Sequence, residues 1–396
     1  MHADDVGRRI REIRSWRRLN LRAAAELSGL SHGYLGQIER GEKPIKNRHV
    51  LEAIANTLRV SPGELIGKPY APIDPVSEEI RAGVPAIEDA LTGWWLGDAP
   101  GTPLRPWQQV RADAHHLNTV LRPNADFARQ VEVLPDLIRD LLAEATRGGE
   151  NRAAALRGLI GAYKSAAYLA HDLGLMGLPA LAAERMRQSA AELDDPTWTT
   201  YAEYQRAQLI SGRNRPRQYQ LAVEVADMPG GRVETRGMAH LTAALAKAAQ
   251  GDADTAQMHL TEARELAELI EADVSPWMQT NFGRTNVGIW RVSIGLELGD
   301  GGKAMEIAQT VHPEGVSQSR RAAYWIDYGR ALLAERNTRH QGVAALLRAE
   351  TLAPQKVRTN VFVREAVSGP LASAPRDAWG RDLRGLAWRL GLAPTG

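Results

Sequence analysis

Ala25-Glu26-Leu27-Ser28-Gly29-Leu30-Ser31-His32-Gly33-Tyr34-Leu35-Gly36-Gln37-Ile38-Glu39-Arg40-Gly41 is the stretch that decides the fold. Just upstream, Asn20 is a good N-cap for a helix over 21–28, which Gly29 stops with a left-handed turn. Ser31 caps a second helix over 32–40, closed by Gly41. Two short helices joined by a three-residue turn containing Gly make a helix-turn-helix. Ala25 is small where the two helices must cross closely, and Gly29, four residues on, sits where the turn needs positive φ. Leu30, Leu35 and Ile38 are the apolar anchors of the second helix. The same run contains Gly29-Leu30-Ser31-His32-Gly33, which matches the G-x-S-x-G elbow of hydrolases. That elbow needs a strand before it, and here a helix precedes, so Ser31 is expected to be a cap rather than a nucleophile.

Working outward, Val6, Ile10 and Ile13 fall at i, i+4, i+7 behind the acidic pair Asp4-Asp5. This predicts an amphipathic helix over 5–18 whose other face carries Arg8, Arg9, Arg11, Arg14 and Arg17. Downstream, 48–58 reads as helix with Leu51, Ile54, Ala55 and Leu58 inward. Ser61-Pro62-Gly63-Glu64 then reads as a cap with Pro at the first turn and Glu three residues after the Ser. Five short helices make a compact bundle, the first domain, over 1–67.

The chain has 396 residues, enough for two or three cores, with 44% hydrophobic and 24% charged residues, an ordinary globular composition. There is no cysteine, which removes disulfides, thiolate nucleophiles and the common structural zinc sites, and fits a reducing cytoplasm. The apolar stretch 153–170 is broken by Arg157 and Lys164, and the first twenty residues are Arg-rich without an apolar h-region, so neither a membrane span nor a signal peptide is expected. Only seven of the 49 basic residues are Lys, and Trp (10) outnumbers Phe (3), a bias expected of a GC-rich genome, so arginine abundance alone marks no site. Net charge is +2, but unevenly placed. Residues 1–66 hold twelve Lys and Arg against eight Asp and Glu, a net of +4, and the remaining 330 residues carry 37 against 39, a net of −2. Charge asymmetry of this kind points to a nucleic-acid-binding end.

The run Gly7-Arg8-Arg9-Ile10-Arg11 followed by 25–41 resembles the lambda-repressor/Cro-like, or Xre-type, DNA-binding domain almost throughout, and the resemblance covers the first 66 residues. It departs from that family at Leu21, where Gln often holds a phosphate, and in the loop 42–47, which is a residue or so longer. A helix lying in the major groove reads bases from its amino end and one turn further on. Those positions are His32, Gly33, Tyr34 and Gln37. Gln37 can bond bidentately to adenine, His32 can donate or accept, and Tyr34 can meet a thymine methyl or a phosphate. Gly33 offers close backbone approach. Arg17, Arg22, Arg40, Lys43 and Lys46 are the candidate phosphate clamps, each releasing counterions on binding.

A Pro-rich linker is expected over 68–75, with the break Lys68-Pro69-Tyr70-Ala71-Pro72. Helical stretches near 76–91 and 106–121 follow, separated by Gly97-Asp98-Ala99-Pro100-Gly101, with Trp94, Trp95 and Trp107 expected to pack that loop onto the next layer. Beyond 126 nearly everything reads as helix. Turn signals at Gly174, Gly212, Gly251, Gly299 and Asn337 recur at intervals of 38, 39, 48 and 38 residues. Helix, turn and helix at such a period is what tetratricopeptide-like (TPR-like) solenoids show. Thr280-Asn281-Phe282-Gly283-Arg284-Thr285-Asn286-Val287, leading to Leu296-Glu297-Leu298-Gly299-Asp300, then 324–331 and Ala349-Glu350-Thr351-Leu352-Ala353-Pro354, is similar to the carboxyl half of actinobacterial Xre-type regulators with tetratricopeptide-like sensor domains. The domain order is also similar to that of the peptide-pheromone receptors of Gram-positive bacteria.

The expected fold is therefore all-α, a five-helix helix-turn-helix bundle followed by a TPR-like α-solenoid over 76–396. No H-E-x-x-H is present, and Gly301-Gly302-Lys303-Ala304 lacks the upstream Gly and the Ser or Thr of a phosphate loop. His115-His116 points to opposite sides of a helix. No cofactor, metal or catalysis is expected. The expected function is a cytoplasmic, sequence-specific transcription regulator, a homodimer on double-stranded DNA with a palindromic operator, controlled by a small-molecule or peptide effector held in the repeats. The alternative is a DNA-tethered scaffold whose repeats bind a protein. Asn281, Arg284 and Asn286, spaced three and two apart near a helix start, are the candidate effector contacts.

Overall fold

The computed structural model describes residues 3–45, 48–58, 60, 65, 75–98, 105–175, 177–210, 214–371 and 378–392. Lys46, the short helix expected at 61–64, linker residues 68–74, Ala99 to Gly101 and Gly212 lie outside the described residues. Pro75, assigned to the linker from sequence, already opens a helix. The fold is all-α: among the described residues the strand-like pairing is one antiparallel bridge between Val274 and Gly283.

In the head, α1 (Ala3–Trp16), α2 (Leu21–Leu27), α3 (His32–Glu39) and α4 (Arg48–Leu58) enclose one apolar core that includes Val6, Ile10, Ile13, Leu35, Ile38, Leu51 and Ile54. Both caps form: Asn20 accepts from the Ala23 amide at 2.8 Å and Ser31 from the Tyr34 amide at 3.2 Å. Ser31 is thus a helix cap. The turn between them has Gly29 at φ 66°, the left-handed value that glycine adopts without strain. At Gly7, in the middle of α1, a Cβ would run into the Ile38 carbonyl, so only glycine lets α1 and α3 approach this closely. Arg14 departs from the solvated face read from the sequence. It turns inward and donates from Nε and Nη2 to Glu39 at 2.6 and 2.9 Å, because the buried Glu39 carboxylate needs a counter-charge.

The rest of the chain is an array of helices: α5 (Pro75–Thr92), α6 (Trp107–His116) running into a π-helical turn (Leu117–Leu121), α7 (Phe127–Arg147), α8 (Arg152–Asp172), α9 (Leu178–Ala191) and α10 (Pro196–Leu209). It continues through α11 (Arg215–Asp227), α12 (Val233–Ala248), α13 (Ala253–Ala267), α14 (Arg284–Glu297), α15 (Gly301–Thr310), α16 (Gln318–Ala334) and α17 (Arg339–Leu352). It closes with α18 (Pro354–Thr359), α19 (Val361–Leu371) and α20 (Ala378–Arg389). From α7 to α17 each helix packs on the next in the chain, and α10, α12, α14 and α16 also pack on one another in turn. That is the stacking of a TPR-like solenoid, in which neighbouring hairpins bury faces that one hairpin alone leaves wet. Fully buried Ala166, Ala167, Ala244, Ala256 and Ala263 allow the close approach. Asp126, Asp195, Asp252 and Asp300 each cap the helix that follows, accepting from backbone amides at 2.9–3.1 Å. The glycine run before Lys303 is therefore an ordinary capped helix start. Trp94 and Trp107 pack on the array core as expected, whereas Trp95 is exposed, with the Arg185 guanidinium 3.7 Å over its ring.

The head touches the array through α19 and α11. Phe362 of α19 packs against the head core, and Arg215 at the start of α11 forks onto Glu52 of α4 at 2.8 and 3.2 Å. Both side chains of that pair are only 9–10% exposed, so the ion pair is desolvated.

Candidate functional site

The residues placed for base reading lie on α3. His32 and Gly33 are exposed and Tyr34 and Gln37 half-buried, on a helix whose opposite side is sealed by Leu35 and Ile38. Lys43 lies 6.0 Å above the Tyr34 ring, within cation–π range. Arg40, at the carboxyl end of α3, pairs with Glu42 at 2.6 Å, and this bond holds the Glu42 carboxyl below the usual carboxylate range. Arg22 pairs with Glu26 at 3.0 Å one turn along α2. Both pairs are exposed, and such pairs are worth little, so an incoming phosphate can replace the carboxylate. Arg17, just past α1, donates to the Leu58 carbonyl at 3.2 Å. Leu21, where the related domains often carry Gln, packs against the head core instead.

A second site lies inside the array, where α7, α8, α10, α12, α14 and α16 converge on a cavity of about 160 Å³. Its wall carries four cationic side chains, Arg122, Lys164, Arg320 and Lys356, against one carboxylate, Asp172. Lys356 belongs to that carboxylate, donating at 3.0 Å. Burial raises the Asp172 carboxyl, but Lys356 and His171 beside it hold it down at about 2. The other three cations have no carboxylate bonded to them. Lys164, 3% exposed, donates to the Met278 carbonyl at 2.6 Å, and burial together with Arg122 holds its ammonium well below the ordinary lysine value. Arg320 donates from Nε to Asn286 at 2.7 Å, stacks 5.1 Å from the Trp290 ring centre, and is lowered to about 10 by burial. Arg122 is lowered by burial as well, and its Nε and Nη2 are buried with no bonding partner, as are Nη2 of Arg320 and the Trp290 indole nitrogen. Unsatisfied buried donors are rare, and here several belong to side chains that line one cavity.

Of the candidate effector contacts, Asn281 and Asn286 line this cavity and Arg284 does not. Asn281 accepts from the Ser317 amide at 2.8 Å; Asn286 holds Arg320. Arg284 is exposed and donates to the Ile270 carbonyl at 3.2 Å, away from the cavity. The lip of the cavity is the segment before α14, where Met278, Gln279 and Asn281 have φ of 46°, 52° and 55°. Left-handed conformation at non-glycine residues stores strain that collects at functional sites.

Sequence alone does not single out the cations, because they are spread over more than two hundred positions. One signal is present: Lys164 is among only seven lysines and sits in the middle of an apolar helix. Among the described residues no three His, Asp or Glu side chains group as metal ligands, and no helix is long and apolar enough to cross a membrane.

Residues 5–66 match the family described as a helix-turn-helix domain. No curated protein matches the chain. Among solved structures, the chain is similar to the apo form of ComR from S. thermophilus at 12% identity, covering 79% of this chain and 96% of that one with a TM-score of 0.19. It is also similar to the apo form of the competence regulator ComR from Streptococcus vestibularis, at 12% identity over 99% of both chains with a TM-score of 0.17. TM-scores of that size do not establish a shared arrangement.

Proposed function

We propose that the protein is a sequence-specific DNA-binding transcription regulator whose helical array holds an effector that controls the head. The observation that carries this reading is the helix-turn-helix over 5–66, with His32, Gly33, Tyr34 and Gln37 on the accessible side of α3. Arg17, Arg22, Arg40, Lys43 and Lys46 serve as phosphate clamps. The head acts as a homodimer on a palindromic operator, with half-sites about 10 bp apart, one turn of B-DNA. The effector occupies the cavity that Asn281 and Asn286 line, and the contacts of Phe362 and Arg215 with the head give the array a physical route to it. Selection of bound sequences from a random duplex pool by the full chain tests the reading. A recovered palindromic motif with a steep salt dependence is expected; recovery of no motif overturns it.

A further inference from the structure

From the cavity chemistry we infer that the effector is a compact organic anion, a carboxylate or phosphate monoester on a single-ring body, held by Arg122, Lys164 and Arg320. This rests on reading the cavity as the effector site and names the class of molecule that fits it.

Charge comes first. Three cations face the cavity without a bonded carboxylate, and the one carboxylate present is occupied by Lys356. A cation largely withdrawn from water without a bonded counter-charge is unfavourable unless something supplies one; Lys164 is buried, and Arg122 and Arg320 are half-buried. The unsatisfied Nε and Nη2 of Arg122 are two neighbouring donors of one guanidinium, the fork that meets two oxygens of a carboxylate or phosphate side by side. Nη2 of Arg320, another side chain lining the cavity, is a further donor without a partner. Water can solvate these groups but brings no charge.

Size comes second. A cavity of about 160 Å³ matches the engineered 150 Å³ cavity that takes benzene, and falls short of the ~300–1,000 Å³ of drug-sized sites. A peptide of several residues does not fit; one ring with an anionic group does. Phe127, Leu169, Met238 and Trp290 provide the apolar wall for the ring. Asn281 and Thr280 on the strained lip lie beside it, so a bound anion and the lip conformation are coupled through Lys164, which holds the Met278 carbonyl.

Isothermal titration of the full chain with phenyl phosphate, benzoate and benzamide, similar in body but differing in charge, tests the inference. Expected is tightest binding for phenyl phosphate, weaker for benzoate, and for benzamide at least about tenfold weaker than phenyl phosphate, a difference of about 1.4 kcal/mol. Arg122→Met removes a half-buried charge with no bonded carboxylate, so its ligand-free melting temperature is expected to hold or rise while phenyl phosphate affinity drops at least about tenfold. Lys164→Met and Arg320→Gln give the same paired readout should Arg122→Met not fold. Benzamide binding as well as phenyl phosphate, no heat with any of the three up to millimolar concentration, or unchanged phenyl phosphate affinity in the variants each overturns the inference. DNA affinity is measured apart, by fluorescence anisotropy with and without phenyl phosphate. Anion binding with no change in DNA affinity leaves the anion site standing and overturns the regulatory reading of the cavity.

Discussion

The head and the array carry their positive charge in opposite ways. In the head, net +4, Arg14 turns inward and is fully paired: it meets Glu39 with two bonds and reaches the Leu19 carbonyl with a third. The array is net −2, yet three cations around its cavity have no carboxylate bonded to them. Net charge per domain therefore says where a protein meets a polyanion from outside, and says nothing of what it receives within. Surface charge acts at a distance through solvent, whereas a buried charge is felt by whatever enters its cavity.

The sharpest way to break this comparison is to remove a buried cation from each region. Arg14→Met strands the Glu39 carboxylate inside the head and is expected to destabilise by about 3–5 kcal/mol in chemical denaturation. Arg122→Met in the array is expected to do no harm. Equal losses at both positions would falsify the contrast. Between the two regions, Glu52→Ala leaves Arg215 desolvated with Gln218 as a neutral partner and no counter-charge, with an expected loss of about 3–5 kcal/mol. Much of that loss should return in the double variant Glu52→Leu with Arg215→Leu, because the pair is replaced by apolar contact.

Smaller effects sharpen the outward-facing side. Gln37→Ala is expected to weaken the preferred duplex by about 1–3 kcal/mol and to relax preference at one base pair. A uniform loss over all sequences would contradict a base-reading role. Arg22→Ala is expected to leave preference intact and to reduce the slope of log affinity against log salt by about 0.9 for each phosphate it no longer neutralises. The smallest effect concerns half-buried His240 and buried His259, whose Nδ1 atoms lie 3.0 Å apart. Burial lowers both imidazoles from 6.5, with Arg236 adding to the shift of His240 and His240 to that of His259. Their folded values lie below the unfolded ones, so the unfolded chain binds more protons just below pH 6.5. Thermal stability is therefore expected to fall as pH drops below 6.5, and His259→Gln should flatten that dependence.

The head was legible in the sequence nearly residue by residue, because its signals are local. Asn20, Gly29, Ser31 and Gly41 punctuate helices within a turn of themselves, and Val6, Ile10, Leu35 and Ile38 repeat at helical spacing. The array was legible as a pattern of hairpins for the same reason: its turn glycines and capping aspartates are local too. The inward turn of Arg14 was not, since an arginine among arginines on a helix face gives no local sign that Glu39, twenty-five residues on, is buried opposite. The cavity was less legible still. Asn281 and Asn286 stand close enough to be noticed, whereas Arg122, Lys164 and Arg320 meet through the curvature of stacked helices, a quantity that accumulates over the chain and leaves no mark at any one position.

The missing side chain at Gly7 also has a mechanical meaning. With α1 lying directly on the backbone of α3, the head has no soft layer between the helix that frames it and the helix that reads. Phe362 and Arg215 hold this stiff body to the array. A displacement passed on through these contacts would therefore move α3 as a whole, keeping the candidate base-reading side chains His32, Tyr34 and Gln37 in the same relative positions.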